Sequence, residues 1–285
     1  MASLACAAAA AAAAPAGDRA ALLQARYAAL SERLEHSPFQ RRLHLESVES
    51  AHALQGDVYA VVDYPIAVVS GAVTSPAHWC DALILHVNVK YCHPVARGPA
   101  TALSVAIGRK YDQPLGEAFR VEFAYRLVAS SPGYVAVEFN APRGPLGTTD
   151  NRIMLEAVPL EPGRAFLHLR YAHEFGLEAR LAMDAYLATT GSGKVGFTTI
   201  EAPGAREPRF IGGMRGTIER NTMRYYLAID AYLGTLAAPP AQRFEQSIER
   251  WYLATERYAR QLHEVDRATY LEMKRREYQR QQTLL

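Results

Sequence analysis

From Asp81 to Glu174 the chain passes through about six stretches of alternating apolar and polar residues, the mark of strands with one face buried. The period then lengthens to that of a helix and stays there from Phe210 to Leu236. Strands are predicted at Leu43–Glu49, Asp57–Tyr64, Leu83–Tyr91, Thr101–Ile107, Phe119–Val128, Tyr134–Asn140, Arg152–Val158 and Arg164–Phe175. Turns such as Ser131-Pro132-Gly133 and Pro162-Gly163 join the later ones. Strands following one another in hairpin order imply an antiparallel sheet, so the fold class is α+β. A curved sheet closed by one late helix encloses a hollow.

The first helix carries Leu23, Tyr27, Leu30 and Leu34 at alternating spacings of four and three, with Asp18 as its cap and Pro38 as its stop. It reads as a strap outside the main body. Pro65 opens a short helix over Ile66–Val73. In the strand that follows, Leu83, Leu85, Val87, Val89 and Tyr91 share one face and His86, Asn88 and Lys90 the other, which reads as the wet side and, if inward, gives a cavity a base and a cation. Glu178–Thr189 is a further helix expected to bury Leu181, Ala182, Ala185 and Tyr186, and Glu201–Pro208 is a polar loop suited to gating an entrance. After Pro239-Pro240, Phe244, Ile248, Trp251, Thr255, Tyr258 and Leu262 again recur at helical spacing. A last helix from Asp266 holds Tyr270, Met273 and a basic surface at Lys274-Arg275-Arg276. This C-terminal hairpin either packs behind the sheet or makes a contact with a second copy.

The order of hairpin, short helices, strands and long helix resembles the START-like helix-grip (SRPBCC) superfamily. Asp63-Tyr64-Pro65, Val69, and then Pro76, His78 and Trp79 carry the local likeness, with Val69 standing where an aromatic is common. It covers about Leu43 to Leu236 and implies a ligand cavity between sheet and long helix, without implying a reaction. The organisation expected is a leader (1–17), the N-terminal helix (18–40), a START-like ligand-binding domain (41–237) and a C-terminal helical extension (238–285).

With 31 basic and 29 acidic residues the net charge is only +2, so no strong field draws nucleic acid. Met1 to Ala16 is uncharged and nearly all Ala, like the apolar part of a secretory signal without its positive leader. The expected location is periplasmic or secreted, and cytoplasmic if that segment is not a signal. Cys80 and Cys92 lie twelve positions apart. Were the segment one straight strand it would span about 40 Å, which favours two free buried thiols unless a bend intervenes.

On the long helix Met214, Ile218, Asn221, Tyr225, Ile229 and Tyr232 form one stripe, with Arg215, Glu219, Arg220 and Arg224 beside or opposite it. Asn221 interrupts the apolar row at its midpoint, where an amide would hold a ligand's polar head or bond a loop carbonyl. Tyr225 and Tyr232 offer hydroxyls, and Arg215 either pairs with Glu219 on the surface or grips a carboxylate at the mouth. His78, Cys80, His86, Cys92 and His93 have no metal-ligand spacing, and Gly191-Ser192-Gly193-Lys194 lacks the rest of a phosphate loop. No nucleophile motif is present, and His168 and His173 fall on opposite faces of one strand.

The expected function is therefore binding or transport of a lipid or other hydrophobic small molecule, with no catalytic residue, metal or cofactor assigned. The partners that go with it are that ligand, a transient membrane contact, and a second copy through the C-terminal helices. Two alternatives stay open: a cyclase or dehydratase on the same scaffold, and an interaction module with a collapsed cavity.

Overall fold

The structure, a computed structural model, describes residues 15–189, 191, 193–200 and 209–283, without the side chain of Tyr186. Most of the expected leader (1–14) and the Glu201–Pro208 loop lie outside the described residues. In chain order the elements begin α1 (Ala16–Glu35), β1 (Leu43–Glu49), β2 (Ala53–Val62), α2 (Ile66–Val73) and α3 (Pro76–Leu83). Six strands follow: β3 (Val89–Arg97), β4 (Ala100–Ile107), β5 (Phe119–Ser131), β6 (Tyr134–Arg143), β7 (Thr149–Leu160) and β8 (Arg164–Glu174). The remainder is α4 (Leu177–Ala188), a small ladder of β9 (Thr199–Ile200) and β10 (Arg209–Phe210), then α5 (Gly213–Leu233), α6 (Pro240–Glu256), α7 (Ala259–Leu262) and α8 (Arg267–Thr283).

β1 to β8 form one antiparallel sheet in the order β1-β2-β8-β7-β6-β5-β4-β3. The last strand pairs with β2, so the sheet curls and grips α5 along its inner face. This is the START-like helix-grip fold. The approach is close because β2 carries Gly56, where any Cβ would collide with Thr222 of α5. Inner-face residues such as Val58, Leu103, Val137, Leu155 and Leu169 join Tyr225, Leu227 and Ile229 in one buried cluster.

The segment 76–91 departs from expectation. Pro76–Leu83 is helical, a turn follows, and β3 begins only at Val89. Leu83, Ile84, Leu85, His86 and Val87 are all buried, so neither parity faces water. The bend brings Cys80 and Cys92 to a Cα separation of 5.1 Å, and they form a disulfide instead of two free thiols. Lys90 is buried too, beneath α8.

α1 lies across the outer face of the sheet, as a strap should, with Leu23, Leu30 and Leu34 on Tyr59, Tyr134 and Phe166. Its cap position is Pro15, and Asp18 sits in the first turn without capping it. α4 is rolled the other way from expectation. It buries Ala179 and Met183 and leaves Leu181 60% exposed, with Ala182 and Ala185 also outside. The expected burial of Tyr186 falls on a side chain outside the described set.

The C-terminal helices belong to the core. Ile248, Trp251 and Leu262 are buried, Trp251 stacks on Tyr270 at 4.9 Å, and Phe244 stacks on Tyr278 at 3.8 Å. The stripe read as a surface for a second copy is thus occupied by the chain itself, which removes the motive for the interaction-module reading. α8 also covers the sheet edge at β3, where Gln281 accepts the Cys92 N–H at 3.1 Å.

Beneath α1, His168 is wedged between two carboxylates, Asp57 at 2.7 Å and Glu156 at 2.9 Å, and stacks on Tyr59 at 4.2 Å. Burial pulls the imidazole's pKa down, but the two carboxylates outweigh it and leave the value raised. Burial would raise Asp57 and Glu156, and His168 holds both below their usual range instead. A raised folded pKa contributes stability that is complete below the unfolded value, about 6.5, and disappears as pH climbs through the folded one. The depressed carboxylates contribute above about 4.3 and lose it on acidification. His168→Gln is therefore expected to cost about 2 kcal/mol at pH 5–6, and less at each step above neutrality. Thermal melts of both proteins across that range test this, and a gap that does not change with pH counts against it.

Candidate ligand-binding site

α5 is buried on nearly every side because the sheet clasps one flank and α6 and α7 cover another. The charges read as its wet face are interior. Glu219 is 0% exposed and 4.0 Å from Arg215, so that pair is not a surface bridge. Arg220 and Arg224 are buried as well. Arg224 meets Glu264 at 2.5 Å, and Glu264 also accepts from Lys110 at 2.7 Å and Lys194 at 2.9 Å. Burial lowers Lys110 to about 8 against the pull of Glu264, and neighbouring Arg224 adds to the fall.

The six predicted ligand residues divide among three places. Met214 and Arg215 line a cleft of about 880 Å³ at the start of α5, a size suited to a small molecule. Its other walls are the β1–β2 turn (Ser47 to Ala51), Arg180 and Asp184 of α4, and Ile211 to Gly213. Ile218 is in the floor behind, in an apolar cluster with Met214, Met183, Leu54 and Phe175. Two methionines there make the floor adaptable, since an unbranched thioether repacks around guests of different outline.

Asn221, Tyr225 and Tyr232 lie farther along the helix. Asn221 is half-buried and accepts from Arg224 at 3.4 Å. Tyr232 is buried against His78, ring centroids 5.9 Å apart. Tyr225 packs edge-on against Tyr171 at 5.2 Å and against His86 at 4.7 Å. None of Asn221, Tyr225 and Tyr232 lines the clefts walled by Ser47 and Arg215, by Leu54 and Arg170, or by His36 and Phe197.

Around Tyr225 the sequence reading missed Tyr171 and His173 and set His86 on the wet side. His173, Tyr171, Tyr225 and His86 stand in a row, and His173 pairs in register with Leu54 of the cleft floor. Neither ring nitrogen of His173 has a hydrogen-bond partner among the described residues, and Nε2 of His86 has none either. Burial lowers His173 to about 4, and burial together with Arg224 and Lys274 lowers His86 well below 6.5. Both imidazoles are neutral at pH 7. Burial lifts Tyr171 to about 12, and it lifts Tyr225 further with help from Tyr171. One signal was available. Leu167, Leu169, Tyr171 and His173 share a parity in β8, so an apolar Leu167 implies an inward His173.

No protein-family model matches the sequence, and neither does any curated protein. Solved structures similar to it include human StAR-related lipid transfer protein 5, at 11% identity and TM-score 0.30 over 54% of this chain and 84% of that one. An aromatase/cyclase from a Streptomyces species matches at 14% identity and TM-score 0.32, over 52% of this chain and 87% of that one. Truncated norcoclaurine synthase from Thalictrum flavum does so at 14% and 0.32, over 50% and 89% respectively.

Proposed function

We propose that the protein binds a hydrophobic small molecule, which enters by the cleft at the start of α5 and reaches inward past Met214 and Met183. The observation that carries this is the run of buried polar rings behind an apolar floor, three of whose nitrogens have no partner among the described residues. Buried polar groups are rarely left so, because each costs about 1–3 kcal/mol. A guest that meets them recovers that cost, and its apolar body adds about 0.8 kcal/mol per buried methylene. Arg180 and Arg215 at the mouth suit a polar head group. Cys80–Cys92 supports residence in an oxidising compartment, periplasmic or extracellular, in keeping with the Ala-rich leader.

Organic extraction of the purified protein followed by mass spectrometry is expected to recover a stoichiometric small molecule. Titration with fluorescent fatty acids and apolar aromatic dyes is expected to show saturable binding, weakened at least tenfold by Ile211→Lys in the cleft wall. Empty extracts together with no saturable binding would remove this reading. The neutral imidazoles favour a second one, a cyclase or dehydratase using His173 or His86 as acid or base. That reading requires turnover that disappears in His173→Phe while binding persists.

A further inference from the structure

We infer that α4 docks the protein on a lipid bilayer, its outward apolar face lying among the headgroups with the cleft mouth held against the surface. The docking face stands on α4 itself. Only its use, passing a guest between bilayer and cleft, rests on the ligand-binding reading above. α4 is a helix with two apolar faces. Inward, Ala179, Met183 and Leu187 pack into the cluster of the cleft floor. Outward, Leu177, Leu181, Ala185 and Ala188 recur at spacings of four, four and three, which puts them on one strip of the helix surface. All four are exposed, Leu177 at 74%. Lone exposed leucines are ordinary on any protein, but a whole apolar strip turned to water is not. A third exposed leucine, Leu146, stands in the turn that packs against α4. It holds a left-handed backbone at φ 57°, a conformation that costs energy in a leucine.

The extent of the strip decides its partner. Twelve residues make a helix about 18 Å long, and at a helix's width of about 10 Å one face measures about 200 Å². A stable protein interface takes about 800 Å² from each side, so neither a second copy nor another folded protein is held by this face alone. A bilayer asks for less, since a few inserted apolar side chains hold a protein reversibly. Position agrees with this. Leu177 is three residues from Arg180 and Leu181 three from Asp184, so the strip adjoins the cleft wall that those two residues form. Val48, on another wall of the same cleft, is 59% exposed. A bilayer against α4 therefore meets the mouth, and an apolar guest enters or leaves without crossing water. Charge sets the kind of surface. Arg180 suits a lipid phosphate, but Glu178 and Asp184 on the same helix offset it, so the attraction is apolar and does not require anionic lipid.

The test uses the full chain, flotation with phosphatidylcholine vesicles, and the double variant Leu177→Ser with Leu181→Ser. The wild type is expected to float with the vesicles, and added phosphatidylserine or salt is expected to change its partitioning by less than about threefold. In the double variant partitioning is expected to fall about tenfold or more. Its thermal melt and its binding of cis-parinaric acid in vesicle-free buffer are expected to match the wild type, because both side chains are exposed. No flotation of the wild type, equal flotation of the variant, or flotation confined to anionic vesicles and abolished by salt would overturn the inference. So would a wild-type dimer in sedimentation that the variant abolishes, which gives the strip to a second copy. Flotation without saturable cis-parinaric acid binding counts against the ligand-binding reading and leaves the docking face standing, and the converse result does the reverse. Should the variant not fold, amide exchange of the wild type decides: vesicles slow it in residues 177–188 and not in β7, and an unslowed α4 sinks the idea.

Discussion

Glu277→Ala is expected to destabilise the protein by about 3–5 kcal/mol, because it strips the counter-ion from two ammonium groups sealed in the interior. Lys90, Lys274 and Glu277 are 0% exposed, with Lys90 Nζ 2.9 Å and Lys274 Nζ 2.7 Å from the carboxylate. The lysines also tie α8 to the start of the edge strand. Lys274 donates to the carbonyls of His86 and Val89 at 2.7 and 2.9 Å, and Lys90 donates to that of Val87 at 3.1 Å. Burial drives both lysine pKa values down, Lys274 to about 8, and Glu277 is the group that resists the fall. The carboxylate's contribution therefore requires a protonated lysine. It is complete below about pH 8 and fades as Lys274 deprotonates above it. Urea unfolding of wild type and variant at pH 7 and pH 9 is expected to show the larger gap at pH 7. A gap under 1 kcal/mol, or one that widens with pH, would mean that the three groups are not coupled as described. Glu277→Gln, which retains an acceptor without the charge, should fall between the two. Because α8 covers the edge at β3, the Ala variant should also aggregate more readily.

The same triad shows where a single sequence stops being legible. Strands β5 and β7 were readable because they have one dry face and one wetter one, and β4, β6 and β8 because apolar runs of strand length stand between turns. Thr101–Ile107 and Arg164–Phe175 agree with the observed β4 and β8 to within a residue at either end. Leu83 to Val87 failed the same test for a physical reason: alternation names a face only if one face meets water, and here both parities are buried. A period-2 label was laid on a helix end and a turn, and it carried the thiol and wet-face readings of Cys80, Cys92, His86 and Lys90 with it. On α5 the apolar stripe was legible, but the opposite flank was not. Glu219 looks solvated until β1 and the 197–198 segment close over it, and Arg224 until Leu262 and Glu264, distant in sequence, do the same. The candidate site divides along the same line. Met214 and Arg215, expected on the long helix, stand in its first turn and line a cleft. His86 was lost to the misread turn, and His173 to the habit of reading a polar residue in a strand as outward.

Glu219 is the second position where a large effect is expected. Its Oε1 accepts hydroxyls from Ser47 and Thr198, both at 2.6 Å, and its Oε2 accepts the backbone N–H groups of Phe197 at 2.6 Å and Thr198 at 2.9 Å. One carboxylate thus fastens β1, the 197–198 segment and α5 together beside the cleft mouth. Glu219→Ala leaves two backbone donors and two hydroxyls without an acceptor in a sealed site, at a cost of about 3–5 kcal/mol. Glu219→Gln can turn its amide oxygen to the two N–H groups and its NH2 to the two hydroxyl oxygens, which then accept, so it should lose less than the Ala variant, chiefly the charge-assisted part of each bond. The loss should also be local before it is global. Phe197 packs at 5.6 Å against both Phe39 and Tyr258, so release of its amide loosens that contact as well. Amide exchange at Phe197 and Thr198 is expected to accelerate far more than exchange in β6 and β7. If the wild-type mouth is held by this carboxylate, its variants also bind probes faster and release them faster, with affinity changed less than either rate. Uniform exchange throughout the sheet would instead assign Glu219 to the core as a whole and detach it from the cleft.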